Sequence, residues 1–509
     1  TLAGSSAASD VYKRQVILSG FADAFTLYNL MFIIFGVIVG QFVGAVPGIG
    51  PVIAMAIAIP FTFGMDPLPA IAFLVAVNKG GLVGGAIPAV LINTPGTPDA
   101  AATALDGYPL TQKGQPLKAT KMALFSSVTG DVFSDIVLIT ISAPLAIIAL
   151  KMGPVEIAAL IIFAFSVLTG LVGSSLVKGV ISALVGLLGA TVGADPENYT
   201  PRFIMGHFEL YEGFPLISVA IGSLAVSEIL RRLATSKGGQ TPAIIVRDTG
   251  NKNDSRVTWE EYWGCRYVML RGATIGTIFG ALPGVGSTAA AFMSYLSTKT
   301  RSKDPDSFGK GNIQGIAAAE SANSAVVGAN LIPLLTLGIP GSVGAALIIS
   351  AFMIHGIQPG PLLFRDQGQL IYGLFGAMIM ANFINLWVGQ LGLRIWVKVI
   401  SAPESIIFSS ALLLCIVGVW MATGGIFGLV VLLAFAILGY LMTAFGYSVV
   451  IFMIAFFLGK QFEIVIAQGL AITNGEVSQL LSHPVALILL LLAAFTFLWF
   501  TYKNRKAPE

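Results

Sequence analysis

Long apolar runs alternate with short polar joints along the whole chain, and most runs approach the roughly 20 residues a helix needs to cross a bilayer. Apolar segments lie near 27–46, 52–63, 70–92, 121–150, 154–173, 176–194, 214–233 and 268–282. Others lie near 287–298, 315–338, 343–357, 370–395, 403–422, 424–444, 446–459 and 485–502. The pattern predicts an all-α polytopic membrane protein of about 10–12 spans. Segments 52–63, 268–282, 287–298 and 343–357 are too short to span, and Pro-Gly pairs interrupt the apolar pattern beside them. Non-helical backbone survives at membrane depth only when protein buries it or it lines a wet cavity. Short, broken segments therefore point to the binding site of a transporter.

The breaks recur in order. GQFVGAVPGIG at 40–50 aligns without a gap on GTIFGALPGVG at 276–286, and IPAVLINTPGT at 87–97 aligns on IPLLTLGIPGS at 332–342. Matched breaks in two halves predict a duplicated architecture around one site.

Charge orients the halves, because Lys and Arg accumulate in cytoplasmic loops. Residues 231–271 carry Arg231, Arg232, Lys237, Arg247, Lys252, Arg256, Arg266 and Arg271, and the tail carries Lys503, Arg505 and Lys506. Both are expected in the cytoplasm. Residues 61–69 hold no basic side chain, whereas the matching stretch of the second half holds Lys299, Arg301, Lys303 and Lys310. After the second break the bias reverses, with Lys113, Lys118 and Lys121 against Arg365 alone at 358–369. Swapped bias predicts inverted repeats, with 272–297 a re-entrant hairpin from the cytoplasmic side. The expected organisation is a non-native or disordered tail (1–15), a first repeat with associated spans (16–233), a cytoplasmic loop (234–266), a second repeat (267–400) and C-terminal spans with a basic tail (401–509). Within the tail, SSAASDVYKRQ resembles translated sequencing-adapter read-through, the alternative being a genuine mobile segment.

Composition agrees: 56% of the 509 residues are hydrophobic, 10% are charged, and mean hydropathy is +0.86, against about 25% charged in soluble domains. A net charge of +3 is too small to steer polyanions, so no nucleic acid is expected. Cys265 and Cys415 are far apart and His207, His355 and His483 lack ligand spacing, so neither a disulfide nor a metal centre is legible. No Walker loop, His-Glu-x-x-His, nucleophile elbow or dinucleotide fingerprint occurs. An enzyme is not expected, and neither is a cofactor; transport would draw on an ion gradient.

At each break Pro removes a donor, Gly lets backbone approach a ligand, and the restarting helix offers N–H groups and a positive dipole end. The predicted substrate-binding set is Pro47, Gly48 and Gly50 with Asn93, Thr94, Pro95, Gly96 and Thr97. From the second half come Pro283, Gly284, Gly286, Ser287 and Thr288, and Pro340, Gly341 and Ser342. A carboxylate suits the N–H groups and hydroxyls; a cation such as Na⁺ suits the opposing carbonyl ends. The alternative is that Pro-Gly merely kinks helices, which four breaks in matched pairs disfavour. Buried polar residues inside apolar segments are costly and functional by default. They predict an ion-coupling set of Glu320, Ser321, Asn323, Asn330, Asp131 and Asp135. Lys79 reads either as counter-charge to an anionic substrate or as a structural partner of Asp131 or Asp135. Glu228 reads as a structural partner of Arg231 and Arg232.

Several blocks resemble the TctA family, the large membrane subunit of tripartite tricarboxylate transporters. They are NTPGTP at 93–98 with ALDGYP at 104–109, GADP at 193–196 continuing through Pro201-Arg202-Phe203 to Ser227-Glu228, and FGKG at 308–311. AESAN at 319–323, IPLLTLGIPGS at 332–342 and HGIQPGP at 355–361 complete them. Two departures stand out: Asn78-Lys79 where many members have Tyr and Gly-rich sequence, and Asp131 where many have a small residue. The resemblance implies a multi-pass permease of the bacterial inner membrane. Its partners would be a small TctB-like membrane subunit and a periplasmic TctC-like binding protein. It implies uptake of di- or tricarboxylates, citrate being the reference, as symport with Na⁺ or H⁺. The competing readings are a binding-protein-independent exporter or antiporter relaying protons through Asp131, Asp135 and Glu320, and a channel.

Overall fold

Two residues in left-handed conformation end the two most deeply buried helices. Asn93 (φ 56°) and Gly338 (φ 72°) are their C-caps, and the repeat alignment places one opposite the other. Each helix also carries an internal proline, Pro88 or Pro333, at aligned positions. The same local chemistry therefore breaks the chain twice in the same way.

The computed structural model describes residues 15–46, 50–172, 175–235, 252–282, 286–400 and 404–506. The first repeat comprises α1 (Leu27–Gly44), α2 (Gly50–Ala58), α3 (Pro67–Ile92), α4 (Ala100–Gln112) and α5 (Pro116–Ala149). Next come α6 (Pro154–Val172), α7 (Leu176–Ala190) and α8, in which Leu216–Ala220 passes through a π-helical stretch, Ile221–Val226, into Ser227–Thr235. The second repeat comprises α9 (Arg266–Ala281), α10 (Gly286–Arg301), α11 (Ile313–Leu337), α12 (Val343–Ile354) and α13 (Gly368–Ile400). Helices α14 (Glu404–Thr423), α15 (Ile426–Ala444), α16 (Val449–Ile472) and α17 (Pro484–Lys506) finish the chain. Strand structure among the described residues is one two-residue pair, Gly193–Ala194 with Pro201–Arg202. The protein is an all-α polytopic membrane protein. Among the described residues seven helices, α1 included, have the length and composition to cross a membrane, while α2, α9 and α10 are shorter. The expected short segment at 446–459 is instead the start of α16, which continues through Lys460 and Glu463 to Ile472. Arg202 grips both oxygens of Glu463 (2.5 and 3.0 Å) and so secures the longer helix.

The repeats are inverted. Helix α3 starts where Leu68 meets Gly373 and ends where Thr111 donates to the Val90 carbonyl. Helix α11 starts beside Asp106, which accepts from the N–H groups of Gly309, Gly311 and Asn312. It ends with Gly338 against Pro359. The end that holds 99–121 also holds 252–271, through the Lys118–Glu261 ion pair and the Lys121 bond to the Ser255 carbonyl. Lys299, Arg301, Lys303 and Lys310 follow on the same end, consistent with the swapped loop charge. Glu228 is paired with Arg231 and Arg232 at 2.6 and 2.9 Å.

The repeats also exchange a helix. Helix α1 packs on α3 and α9 packs on α11, as their alignment requires, but α5 crosses to lie on α11 and α9, and α13 lies on α3 and α1. Close approach makes this possible. A Cβ at Gly130 of α5 would strike the Ser321 carbonyl of α11, and one at Gly328 of α11 the Ser134 hydroxyl of α5. Helices α3 and α11 are thereby buried along nearly their whole length, while α17 turns mostly exposed apolar side chains outward, as a helix facing lipid does.

Candidate functional site

The end of each hairpin's first arm, α1 or α9, meets the break of its own repeat, and the two meetings are copies. A Cβ at Gly96 would lie 2.7 Å from the Gly44 carbonyl and 2.8 Å from Gly85 Cα. A Cβ at Gly341 would lie 2.7 Å from Asn330 Oδ1 and 3.0 Å from the Gly280 carbonyl. In the alignment Gly96 matches Gly341, Gly44 matches Gly280 and Gly85 matches Asn330. Gly50 (φ 67°) and Gly286 (φ 74°) open α2 and α10 in the left-handed region at matching positions, where a side chain would be strained. Close packing of arm on break is thus a sufficient reason for Gly96 and Gly341, and backbone conformation for Gly50 and Gly286. Pro47, Gly48, Pro283 and Gly284 lie outside the described residues.

Side chains complete each break. At the first, Gly96 and Thr97 are buried, and Asn93 and Thr94 are exposed; the Thr94 hydroxyl donates to the Ile92 carbonyl. Thr97 Oγ1 accepts from Ala100 N–H and caps α4. At the second, Ser342 caps α12 through Ala345 N–H (3.2 Å) and accepts from Asn330 Nδ2 (3.0 Å). Pro95, Ser287 and Thr288 are half-buried, and Pro340 and Gly341 are buried.

The ion-coupling candidates separate into two groups. Glu320, fully buried on α11, accepts from Thr103 (2.5 Å) on α4 and from Ser127 (2.7 Å) on α5. Asn323, one turn on, lies beside both Glu320 and Asp99 at the first break. Ser321 donates back to the Ala317 carbonyl, and its hydroxyl lies against Gly272 of α9, turned away from this cluster. The second group is built on Lys79, whose ammonium donates to Asp135 (2.8 Å), Asp131 (3.4 Å) and Asn382 (2.8 Å). Asn382 also donates to Asp135 (2.7 Å), and Asn385 links the Lys79 carbonyl to Gln41. The geometry gives Lys79 a carboxylate pair as its partner. Its two unusual positions, 79 and 131, are partners of each other.

Sequence reasoning missed Asp99, Thr103, Ser127, Asn382, Asn385 and Gln41. Asp99 and Thr103 flank three alanines just after the first break; Gln41 and Ser127 lie singly on α1 and α5, and Asn382 and Asn385 sit one turn apart on α13 with nothing nearby in sequence to name their partners.

A family model for the tripartite tricarboxylate transporter TctA family matches residues 30–454. The chain belongs to the TctA family. A relative from Agrobacterium vitis, an uncharacterized 52.8 kDa protein in the TAR-I ttuC' 3'region, is 34% identical over 474 residues, covering 92% of this chain and 93% of its own. A second protein of that organism, in the TAR-II ttuC' 3'region, is 33% identical over 215 residues, 42% of this chain and 89% of its own. No solved structure matches. TctA proteins are the membrane components of tripartite tricarboxylate transporters, so this chain is a multi-pass transport protein of that type.

Proposed function

We propose that this TctA protein carries organic carboxylates of the di- and tricarboxylate class into the cell across the bacterial inner membrane. A periplasmic binding protein delivers the substrate, a small TctB-like subunit completes the assembly, and a Na⁺ or H⁺ gradient drives accumulation. The observation that carries the reading is the paired packing of hairpin arm on break. Two helix N-termini, those of α4 and α12, start inside the protein next to capping hydroxyls of Thr97 and Ser342. N-termini and hydroxyls attract carboxylates, and breaks inside a packed bundle are where transporters hold cargo. The basic end, with Lys113, Lys118, Lys121 and Lys299 to Lys310, faces the cytoplasm under the positive-inside rule.

The test is uptake of radiolabelled citrate and of a dicarboxylate into proteoliposomes holding the large and small subunits, with purified binding protein outside. Accumulation should require both the binding protein and an imposed Na⁺ or proton gradient. Accumulation without binding protein would favour the independent exporter or antiporter, and gradient-insensitive equilibration would favour a channel. Thr97→Val and Ser342→Ala should each lower uptake about tenfold or more, the loss of a hydrogen bond to charge being worth roughly 1.5–3 kcal/mol.

A further inference from the structure

We propose that the first break holds a small monovalent cation between Asp99, Asn323 and Glu320, which deepens the transport reading above by giving its coupling ion a site. Asp99 is 4% exposed, and Asn323 and Glu320 are fully buried. Asp99 Oδ2 has no hydrogen-bond partner, and neither do Asn323 Oδ1 and Nδ2, although Asn323 lies beside both carboxylates and Thr97 and Ser287 lie beside Asp99. A buried amide with both ends unpaired is rare and needs a reason. Both Glu320 oxygens accept a hydroxyl hydrogen, from Thr103 and Ser127, which holds the group as an acceptor. Lys79 is committed to Asp131 and Asp135, so it does not offset these acids. Buried charges are paired or coordinate metal ions.

The donor set selects the ion. Carboxylate, amide and hydroxyl oxygens suit hard cations. Among the described residues no three His, Cys, Asp or Glu side chains group together, which fits an ion of single charge better than a divalent or transition metal. The repeat alignment supplies an independent argument. The positions matching Asp99 and Glu320 are Gly344 and Val75, while Asn323 matches Asn78, which lies beside Gly344. The break geometry was kept in both halves and the negative charge in one. The cation belongs with the acids at the first break. Asp99 and Thr97 come from one repeat, and Asn323, Glu320 and Ser287 from the other, so a bound ion would tie the halves together.

The experiment is thermal unfolding of the purified protein in detergent at fixed pH in NaCl, KCl or choline chloride of equal ionic strength, with no carboxylate present. Binding to the folded state should raise the midpoint in a saturating way in NaCl over choline. Asp99→Asn and Asn323→Ala should each need about tenfold more Na⁺ for half the rise, and exposed Asp306→Asn should match the parent. Size exclusion verifies each variant, and Thr97→Val replaces any that aggregates. The proposal fails if Na⁺ adds nothing over choline, if the variants keep the parental half-point, or if the midpoint follows pH but no cation. With no substrate or gradient in the assay, a failure here stays separate from a failure of the uptake reading.

Discussion

Replacing Lys79 by Met removes the one ammonium from a cluster of four buried polar side chains and leaves Asp131 and Asp135 facing each other's charge. At an effective dielectric of 20 the contacts at 2.8 and 3.4 Å are worth about 6 and 5 kcal/mol in attraction. Desolvation of three ions, several kcal/mol each, offsets most of that. What remains on deleting one partner of a buried pair is typically 3–5 kcal/mol. Partly unfolded membrane proteins find substitute partners for polar groups, so the lower half of that range, about 3 kcal/mol, is the expected loss. The assay is a titration with SDS in mixed micelles followed by tryptophan fluorescence. Adding Asp131→Asn and Asp135→Asn to Lys79→Met removes the stranded charges and should recover at least about 2 kcal/mol, since a neutral buried network is tolerated where an unpaired charge is not. A Lys79→Met protein within about 0.5 kcal/mol of the parent would refute the argument. So would a triple variant no more stable than the single one, because the cost would then come from lost packing.

Gly96→Ala and Gly341→Ala should each destabilise the protein by about 1–3 kcal/mol, the usual cost of overpacking, in the same SDS titration; a neutral result at both would mean that arm and break do not touch. Glu320→Gln should abolish gradient-driven accumulation of labelled substrate while leaving counterflow exchange measurable; equal loss of both would assign Glu320 to packing with Thr103 and Ser127. Cysteines at 66 and 303 should label with an impermeant maleimide from opposite sides. The background is low because Cys265 and Cys415 are buried and burial, with Glu261 nearby, pushes the Cys265 thiol up to about 11. Glu261 is held below the usual carboxylate range: burial raises it, but the Lys118 bond and the Thr258 N–H outweigh that. Because the folded value is depressed, its contribution is present above about pH 4.3 and disappears as pH falls through the folded value. Protection of the amides at 254–264, taken against the intrinsic exchange rate at each pH, should therefore fall on acidification below about pH 4, and unchanged protection would mean that the Lys118–Glu261 pair does not hold this segment to α5.

The periodicity of apolar runs and the two pairs of Pro-Gly breaks were enough to reveal a duplicated helical membrane protein, because each is a local property that propensity and proline chemistry enforce wherever the chain goes. Swapped loop charge reached further and gave the inverted arrangement. The exchange of α5 and α13 between repeats left no mark of that kind. It depends on glycines such as Gly130 and Gly328, whose partners lie far away in sequence. For the same reason nothing near Asn382 in sequence names its partner Lys79, 303 residues away, and nothing near Asp99 names its neighbour Asn323. Ser321, polar and within an apolar segment, looked like Asn323 from sequence alone, yet it satisfies itself on its own helix while Asn323 does not.

The exchanged helices set a timetable for biosynthesis. Lys79 enters the bilayer with its carboxylate partners 52 and 56 residues behind it, but Asn382 follows 303 residues later. At roughly 5–20 residues per second, the nascent chain carries an incompletely enclosed lysine for about 15–60 s, and α3 waits as long for α13 to cover it. Each half is thus an intermediate that exposes polar membrane-buried groups until the ribosome has finished the other, so the two halves should assemble when co-expressed as separate chains and be degraded when either is made alone.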